Sequence, residues 1–375
     1  MRWELEILTT GGPESPQTSV VVHMCKQKYL FNCPESLQRF GGEYKVRFAK
    51  LSHVFFTQVN WASLGGLPGM MLTLGDVGIK KMHLAGGPNL LHAIASTRSF
   101  IQRSGITVQA QELFDANLQP TVFQDEELRV IPVLGYPNPE IPPETPENCT
   151  IPLENDTKRC RLEDGRAVSS IPDALQRWHE DRRKQTAVDR SHLEGLIKKM
   201  FGTNTTETFP DPPATSPCPA VLSYICQGPA VPGKFNLEAA RSLGVPKGRL
   251  YGQLVAGHTV TLPDGSVVEP HQCVSPGRPG SVFIIVDCPS LDYVSSVVEN
   301  PAFIPYQQGG SQPSPACVVH IVHEDVVASN KYQDWMSKFD KDTHQVISNR
   351  CLSGDLIQFG GSSREQLALR ELDPN

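Results

Sequence analysis

The sequence predicts an α/β protein, a single layered sandwich written in two blocks with a long insert between them. Three observations carry that expectation. Short β-rich runs alternate with helical patterns over residues 5–134, and the alternation resumes at Val221, the pattern of a mixed α/β architecture. Between the two blocks the chain turns Pro-rich and polar, a composition that does not pack as regular elements. Residues 1–136 are therefore assigned to the first part of the sandwich, 137–219 to the insert and 220–375 to the second part.

In chain order, the strands of the first block are LEIL, SVVVHM, YLFNC, HVFF, ITVQA and LRVIPV. SLQRFGGEY and LLHAIASTRSFIQRSG read as helices, the second stopped by Gly105. In the insert, PNPEIPPETPENCTIP and FPDPPATSPCP read as flexible chain around a polar, helix-permitting segment. Residues 177–199 carry seven basic and four acidic side chains. They read first as a solvated helix, with RNA contact the alternative. The second block opens with VLSYICQG, continues with the buried strand SVFIIVDCP and then CVVHIV, with LDYVSSVVEN and NKYQDWMSKF as helices.

At 375 residues, 39% apolar and 20% charged, the chain is long enough to bury a large core. A net charge of −6 argues against a general nucleic-acid coat, so any RNA contact needs a local basic patch. No apolar run approaches the roughly 18 residues of a membrane span. The ten cysteines form no CxxC pair. They read as reduced thiols rather than a disulfide framework or zinc ribbon. MRWELEILTTGG has the signature of neither a secretory signal nor a transit peptide, so an intracellular protein is expected.

The most informative passage is residues 233–270, GKFNLEAARSLGVPKGRLYGQLVAGHTVTLPDGSVVEP. Asn236 is placed to cap a helix, Glu238 suits its first turn, and Phe235, Ala239 and Leu243 fall at four-residue spacing. Gly244 stands where a helix ends, with Pro246 just beyond, and TLPDGSVV is a hairpin signal. The helix and loop carry Lys234, Arg241, Lys247 and Arg249 against Glu238. Such cations neutralise phosphates, while Gly248 in the GVPKG turn permits close backbone approach. The passage resembles the projecting arm of the tRNase Z family, with its F-x-x-x-x-A-x-x-L-G-V-P-x-G-P-L run and following G-x-x-V-x-L-x-D-G hairpin. It departs at Arg249, where the family commonly has Pro.

Other stretches agree in order. YLFNCPES is similar to the family's LLxDCGEG, with Asn32 for Asp. FFTQVNWASLGGL aligns with the zinc motif F-x-[ST]-H-x-H-x-D-H-x-x-G-L, so Gln58, Asn60, Ala62 and Ser63 stand where His, His, Asp and His would be. SVFIIVDCP aligns with the strand ending in Gly-Asp-Thr, which sets Cys288 at the metal-bridging Asp. VVHIVHE resembles L-x-H-E-[AS]-T through His320. Zinc needs about four converging N, S or O donors, and these residue types do not supply them. The surviving donors His53, Cys288, His320 and His323 would make at most a chance site; His320 and His323 read as structural histidines, and Cys33 and Cys288 as buried apolar residues.

The resemblance implies an αββα metallo-β-lactamase sandwich with a projecting arm at 233–270. It further implies the N-terminal, non-catalytic half of the family's long form, with the arm gripping precursor tRNA. The expected partners are precursor tRNA and a catalytic metallo-β-lactamase half, with no membrane and no DNA. No cofactor is expected in this chain, zinc belonging to the catalytic half, and the family's long forms work in mitochondria and the nucleus. Two other readings stay open at this point: a stand-alone phosphodiesterase with unusual ligands, and an inactive scaffold for protein contacts.

Overall fold

The computed structural model describes residues 3–11, 16–99, 101, 105–114, 119–138, 187–202, 209–215, 218–231, 233–262, 265–349 and 359–372. Two six-stranded sheets face each other. The first runs in sequence order through β1 (Glu4–Thr10), β2 (Thr18–His23), β3 (Lys28–Phe31), β4 (Leu51–Phe55), β5 (Lys81–Gly86) and β6 (Thr107–Glu112). β1 to β3 are antiparallel neighbours and β3 to β6 parallel ones. After β7 (Phe123–Gln124), β8 (Arg129–Gly135) and β9 (Val221–Gln227), a separate hairpin of β10 (Val260–Thr261) and β11 (Val267–Val268) intervenes. The chain then forms β12 (Val282–Cys288), β13 (Cys317–Val322) and β14 (His344–Ser348). The second sheet has the order β14-β13-β12-β9-β8-β7, again antiparallel through β7, β8, β9 and β12 and parallel through β12, β13 and β14.

Helices cover both outer faces. Over the first sheet lie α1 (Leu37–Glu43), α2 (Trp61–Leu64), α3 (Leu67–Asp76), α4 (Leu90–Ser96) and α5 (Ala187–Gly202). The hairpin unit holds α6 (Leu237–Ser242), α7 (Arg249–Val255) and α8 (Pro270–Cys273). α9 (Leu291–Val298), α10 (Glu324–Ala328) and α11 (Asn330–Met336) pack on the second sheet, and α12 (Gly360–Leu372) is the last element. The result is the metallo-β-lactamase-like αββα sandwich.

Strand alternation builds the three layers of core. In β12, Phe283 and Ile285 enter the inter-sheet core with Phe31, Phe55 and Tyr224, whereas Ile284, Val286 and Cys288 enter the outer core under the helices. Both faces of β12 are covered, which is why VFIIVDC is almost wholly apolar. Thr18 and Ser348 meet across the sandwich through a buried hydroxyl pair at 2.8 Å, although 330 residues separate them.

The insert differs from the sequence expectation where it is described. α5 is part of the sandwich: Leu193, Leu196, Ile197, Met200 and Phe201 are buried in the outer core of the first sheet. Nor is FPDPPATSPCP detached. Phe209 packs on the same core, Asp211 pairs with Arg98, and the Thr215 hydroxyl donates to Asn89 Oδ1 at 3.0 Å. Proline-rich chain can lie along a surface when its side chains find partners. Residues 139–186, 203–208 and 216–217 of the expected insert lie outside the described residues.

Candidate functional site

The loop that leaves β4 is held from several sides. Tyr224 OH donates to Phe56 O, and Leu222 N donates to Thr57 O at 2.7 Å. Asn32 is fully buried in a left-handed conformation, φ 62°, and its Oδ1 accepts from Thr57 N at 2.9 Å. Gln58 then reaches across the mouth of the sandwich. Its Nε2 donates to Asp287 Oδ1 and Oδ2 at 3.1 and 3.0 Å, and its Oε1 accepts from Asn60 Nδ2 at 2.7 Å. Asn60 Oδ1 in turn accepts from Ser63 N at 2.9 Å, capping α2. Ser63 Oγ accepts from Gln17 Nε2, and half-buried Ala62 presents only a methyl group.

The side chain facing Gln58 is thus Asp287, one residue before the expected Cys288. Two-residue alternation decides it: Asp287 shares the inward face of Phe283 and Ile285. Cys288 turns outward, its Sγ 3.7 Å from Ser290 O and its thiol pushed far up by burial. Burial likewise lifts the Asp287 carboxyl to about 6, against the opposite pull of hydrogen bonds from Thr57 and Gln58.

The histidines do not converge on this point. His53 belongs to the other end of the sheet, stacked on His83 at 4.6 Å and on Tyr29 at 5.1 Å. His320 lies under α11, its Nδ1 paired with Tyr332 OH at 2.8 Å and its Nε2 with Gln345 Oε1 at 2.6 Å. His323 is exposed beside Asp325 at 2.8 Å. Cys33 is buried in the outer core of the first sheet, its thiol raised by burial. Among the described residues no group of three or more His, Cys, Asp and Glu gathers in metal-binding geometry. The donor chemistry agrees, because an amide N–H, which has no lone pair to give, already occupies the one carboxylate. These residues do not fit a zinc site.

The arm lies at the opposite end. β9 begins beside Thr57 and ends at Gln227, and the arm leaves there and returns at Val282, which pairs with Gln227. Its base is tight: Val231 bridges Arg278, Phe235 bridges Val274, and Lys234 N donates to Ser275 Oγ at 2.9 Å. A Cβ on Gly233 would come within 1.6 Å of Ser275 O, so only glycine fits that approach. Beyond the base the arm has its own small core of Ala240, Val245, Leu254, Val260, Leu262, Val268 and Cys273. Asn236 caps α6 through Oδ1 at 3.0 and 3.1 Å from Glu238 N and Ala239 N, as its position implies. Ala240 replaces Leu243 as the residue α6 buries, Leu243 being 38% exposed.

Lys234, Arg241, Lys247, Gly248 and Arg249 are all exposed. Gly248 has φ 135° and ψ −138°, a conformation open to glycine alone, and it sets Arg249 at the start of α7. None of the four cations forms an ion pair with another described residue. Glu269 lies on the hairpin side and Glu238 on α6, so positive charge predominates on the α6–α7 half of the arm.

The family model described as tRNase Z endonuclease matches residues 6–66, a span that includes Asn32 and the whole loop from Gln58 to Ser63. The chain is 28% identical over 359 residues to zinc phosphodiesterase ELAC protein 2 of Rattus norvegicus, covering 93% of this chain and 39% of the relative. It is 28% identical to ribonuclease Z 1 of Schizosaccharomyces pombe over 84% of this chain and 36% of that protein. With the mitochondrial ribonuclease Z of Drosophila melanogaster it shares 26% identity over 99% of its length and 38% of the relative's. A crystal structure of a long-form RNase Z from yeast superimposes with a TM-score of 0.64 over 99% of this chain and 39% of that one, at 19% identity, and so shares its fold. The chain spans about two-fifths of the length of these relatives.

Proposed function

We propose, from its homology with long-form ribonuclease Z, that this chain handles precursor tRNA without cutting it: the arm grips the RNA, and a separate catalytic metallo-β-lactamase half performs the cleavage. One observation carries the reading, the pairing in one chain of an arm whose cations face solvent with a loop closed by amides. At the closed end Gln58 binds Asp287 and Asn60 binds Gln58, and among the described residues no group of donors suited to a metal gathers there. At the arm end Lys234, Arg241, Lys247 and Arg249 have no carboxylate partner among the described residues. RNA phosphates are the partner chemistry that such cations lack.

The names of the relatives support this division of labour. A zinc phosphodiesterase supplies a metal-activated water, and this chain supplies orientation and grip. The closed loop and the sandwich then serve as a rigid mount for the arm. A mitochondrial setting is part of the reading, following the name of the Drosophila melanogaster relative, with a nuclear one as the alternative from the family resemblance, and fractionation against organelle markers tests both.

The deciding experiment incubates the purified 375-residue chain with a precursor tRNA transcript. Binding without cleavage is expected, with cleavage appearing on addition of a catalytic half. Zinc-dependent 3′ cleavage by the chain alone would overturn the proposal.

A further inference from the structure

A second basic surface stands at the arm end of the sandwich. Loop 44–50, YKVRFAK, connects α1 to β4 and contains no acidic residue. Its side chains sort by alternation. Val46 and Phe48 pack on the outer core of the first sheet, and Phe48 lies directly over Gly41, where an added Cβ would meet its ring at 2.1 Å. Tyr44, Lys45, Arg47 and Lys50 are left exposed. The backbone is fixed by Val46 N donating to Gly41 O at 2.9 Å, Leu51 N to Phe48 O at 3.0 Å and Lys28 N to Lys50 O at 3.0 Å. Lys45 and Lys50 both sit in left-handed backbone, φ 56° and 69°, an unfavourable conformation for a long side chain that the surrounding bonds must hold.

Lys28 completes the cluster, its Nζ donating to Arg47 O. Burial lowers its pKa, and Arg47 and Lys50 add to that lowering against the pull of Glu6, as expected of like charges crowded together. Two neighbouring carboxylates have other partners, Glu43 Oε1 accepting from Gly361 N at 2.7 Å and Glu6 facing His23 at 3.1 Å. Tyr44 is 50% exposed and stacks on Phe40 at 4.3 Å. The exposed half of the residue offers a stacking surface to a base or ribose.

Topology puts this surface at the same end as the arm. Lys28 opens β3 and Lys50 precedes β4, both strands running toward the closed loop that follows Phe55. The arm is anchored at Gln227 and Val282, also away from that loop. Trp3 marks the shared end, since it precedes Glu4, the partner of His23, and rests against Phe283 at 5.1 Å.

We propose that Lys28, Lys45, Arg47 and Lys50, with Tyr44, form a second phosphate-binding surface for the RNA that the arm grips. The inference rests on the arm reading for its ligand, and it adds a site on the sandwich body that the arm does not contain. An RNA held at two places on one end is oriented, whereas one held by the arm alone can pivot.

The test measures binding of a labelled precursor tRNA transcript to the full chain at several salt concentrations. Lys45→Asn, Arg47→Ala and Lys50→Asn are combined, Asn being chosen where the backbone is left-handed because it tolerates that region. Lys28 is kept because it shapes the loop. The expected result is a salt dependence of log K shallower by about two to three units, and affinity reduced about tenfold or more, with melting unchanged. Lys247→Ala with Arg249→Ala in the arm should lower the slope separately, and the combined variant should lose both. Arg190→Ala, Lys198→Ala and Lys199→Ala on α5 remove the same charge elsewhere and should have little effect. Wild-type binding by the loop variant, or equal weakening by the α5 control, overturns the second surface and leaves the arm reading standing. Weakening by the loop variant with none from the arm variant supports the surface and removes the arm. No RNA binding by the wild-type chain at any salt overturns both.

Discussion

The two ends of this sandwich have been treated differently. At one end the loop after β4 has a capped helix and a buried Asn32, and its side chains are bonded to each other, to nearby backbone, to Gln17 and to Asp287. At the other end the arm keeps a separate core and turns its charges outward. A loop that is part of the inter-sheet packing is held by its structural bonds, its backbone oxygens accepting from β9 at Leu222 and Tyr224 and its Gln58 side chain reaching Asp287 of β12. A projection contributes nothing to the sandwich core, so its sequence answers to what it touches.

The largest effect expected from this contrast is on stability. Phe31→Ala empties a fully buried site stacked on Phe55 at 5.1 Å and should cost the whole chain about 3–5 kcal/mol. Leu254→Ala removes a side chain of similar burial from the arm, at about 2–5 kcal/mol. Its loss should remain local. Amide exchange should rise over residues 237–273 while the melting of the sandwich is unchanged, and a global drop in melting temperature would show that the arm is not an independent unit.

Acid should strike the sandwich next. Burial lowers the pKa of His53 to about 4, helped by His83 and Lys81 and opposed by Asp125. Burial does the same to His320, also to about 4, against the Gln345 bond. Each is held neutral in the fold and takes a proton more readily when unfolded, near 6.5. Stability is therefore complete above pH 6.5 and falls as pH drops toward 4, by about 3 kcal/mol for each histidine. Denaturant midpoints measured between pH 7 and 4 check this, and His320→Gln should flatten the curve.

Asp287 runs the other way. Its folded pKa of about 6 lies above the ordinary carboxylate value of 3.8, so its contribution favours the fold at low pH and is lost as pH rises through 6. Asp287→Asn should stabilise the chain at pH 7 by up to about 3 kcal/mol and leave it unchanged at pH 4. Destabilisation at pH 7 would mean that the Gln58–Asp287 bond outweighs the cost of burying the charge. Smallest of all in stability is Lys247→Ala with Arg249→Ala. It should not move the melting temperature while reducing the salt slope of RNA binding by about two units.

Much of the fold was readable because burial leaves a period. LEIL, SVVVHM, VLSYICQ and VFIIVDC are strands at their expected places. The arm's cap and turns were readable because Asn236, Gly244 and Gly265 sit where particular backbone angles demand them. β5 escaped notice because KMHLAG is short and mixed, and α3 because LPGMMLTLGD carries Pro and two Gly. The packing of Met70, Met71 and Leu74 overrides their poor propensity. α5 had a helical stripe in Leu193, Leu196, Ile197, Met200 and Phe201, which its Pro-rich surroundings obscured. Asp287 was legible by alternation from Phe283, and a one-residue shift in aligning the strand end hid it.

The hydroxyl pair between Thr18 and Ser348 bears on synthesis. Chain emerges from a ribosome at about 5–20 residues per second, so Thr18 waits on the order of 15 to 60 s for its partner 330 residues later. During that wait the apolar inward face of the first sheet, Val20, Val22, Phe31 and Phe55, has no opposite layer, because Phe283, Ile285 and Val319 have yet to be made. A nascent chain stalled before β12 should therefore engage holding chaperones and resist protease poorly, and one stalled after residue 348 should do neither.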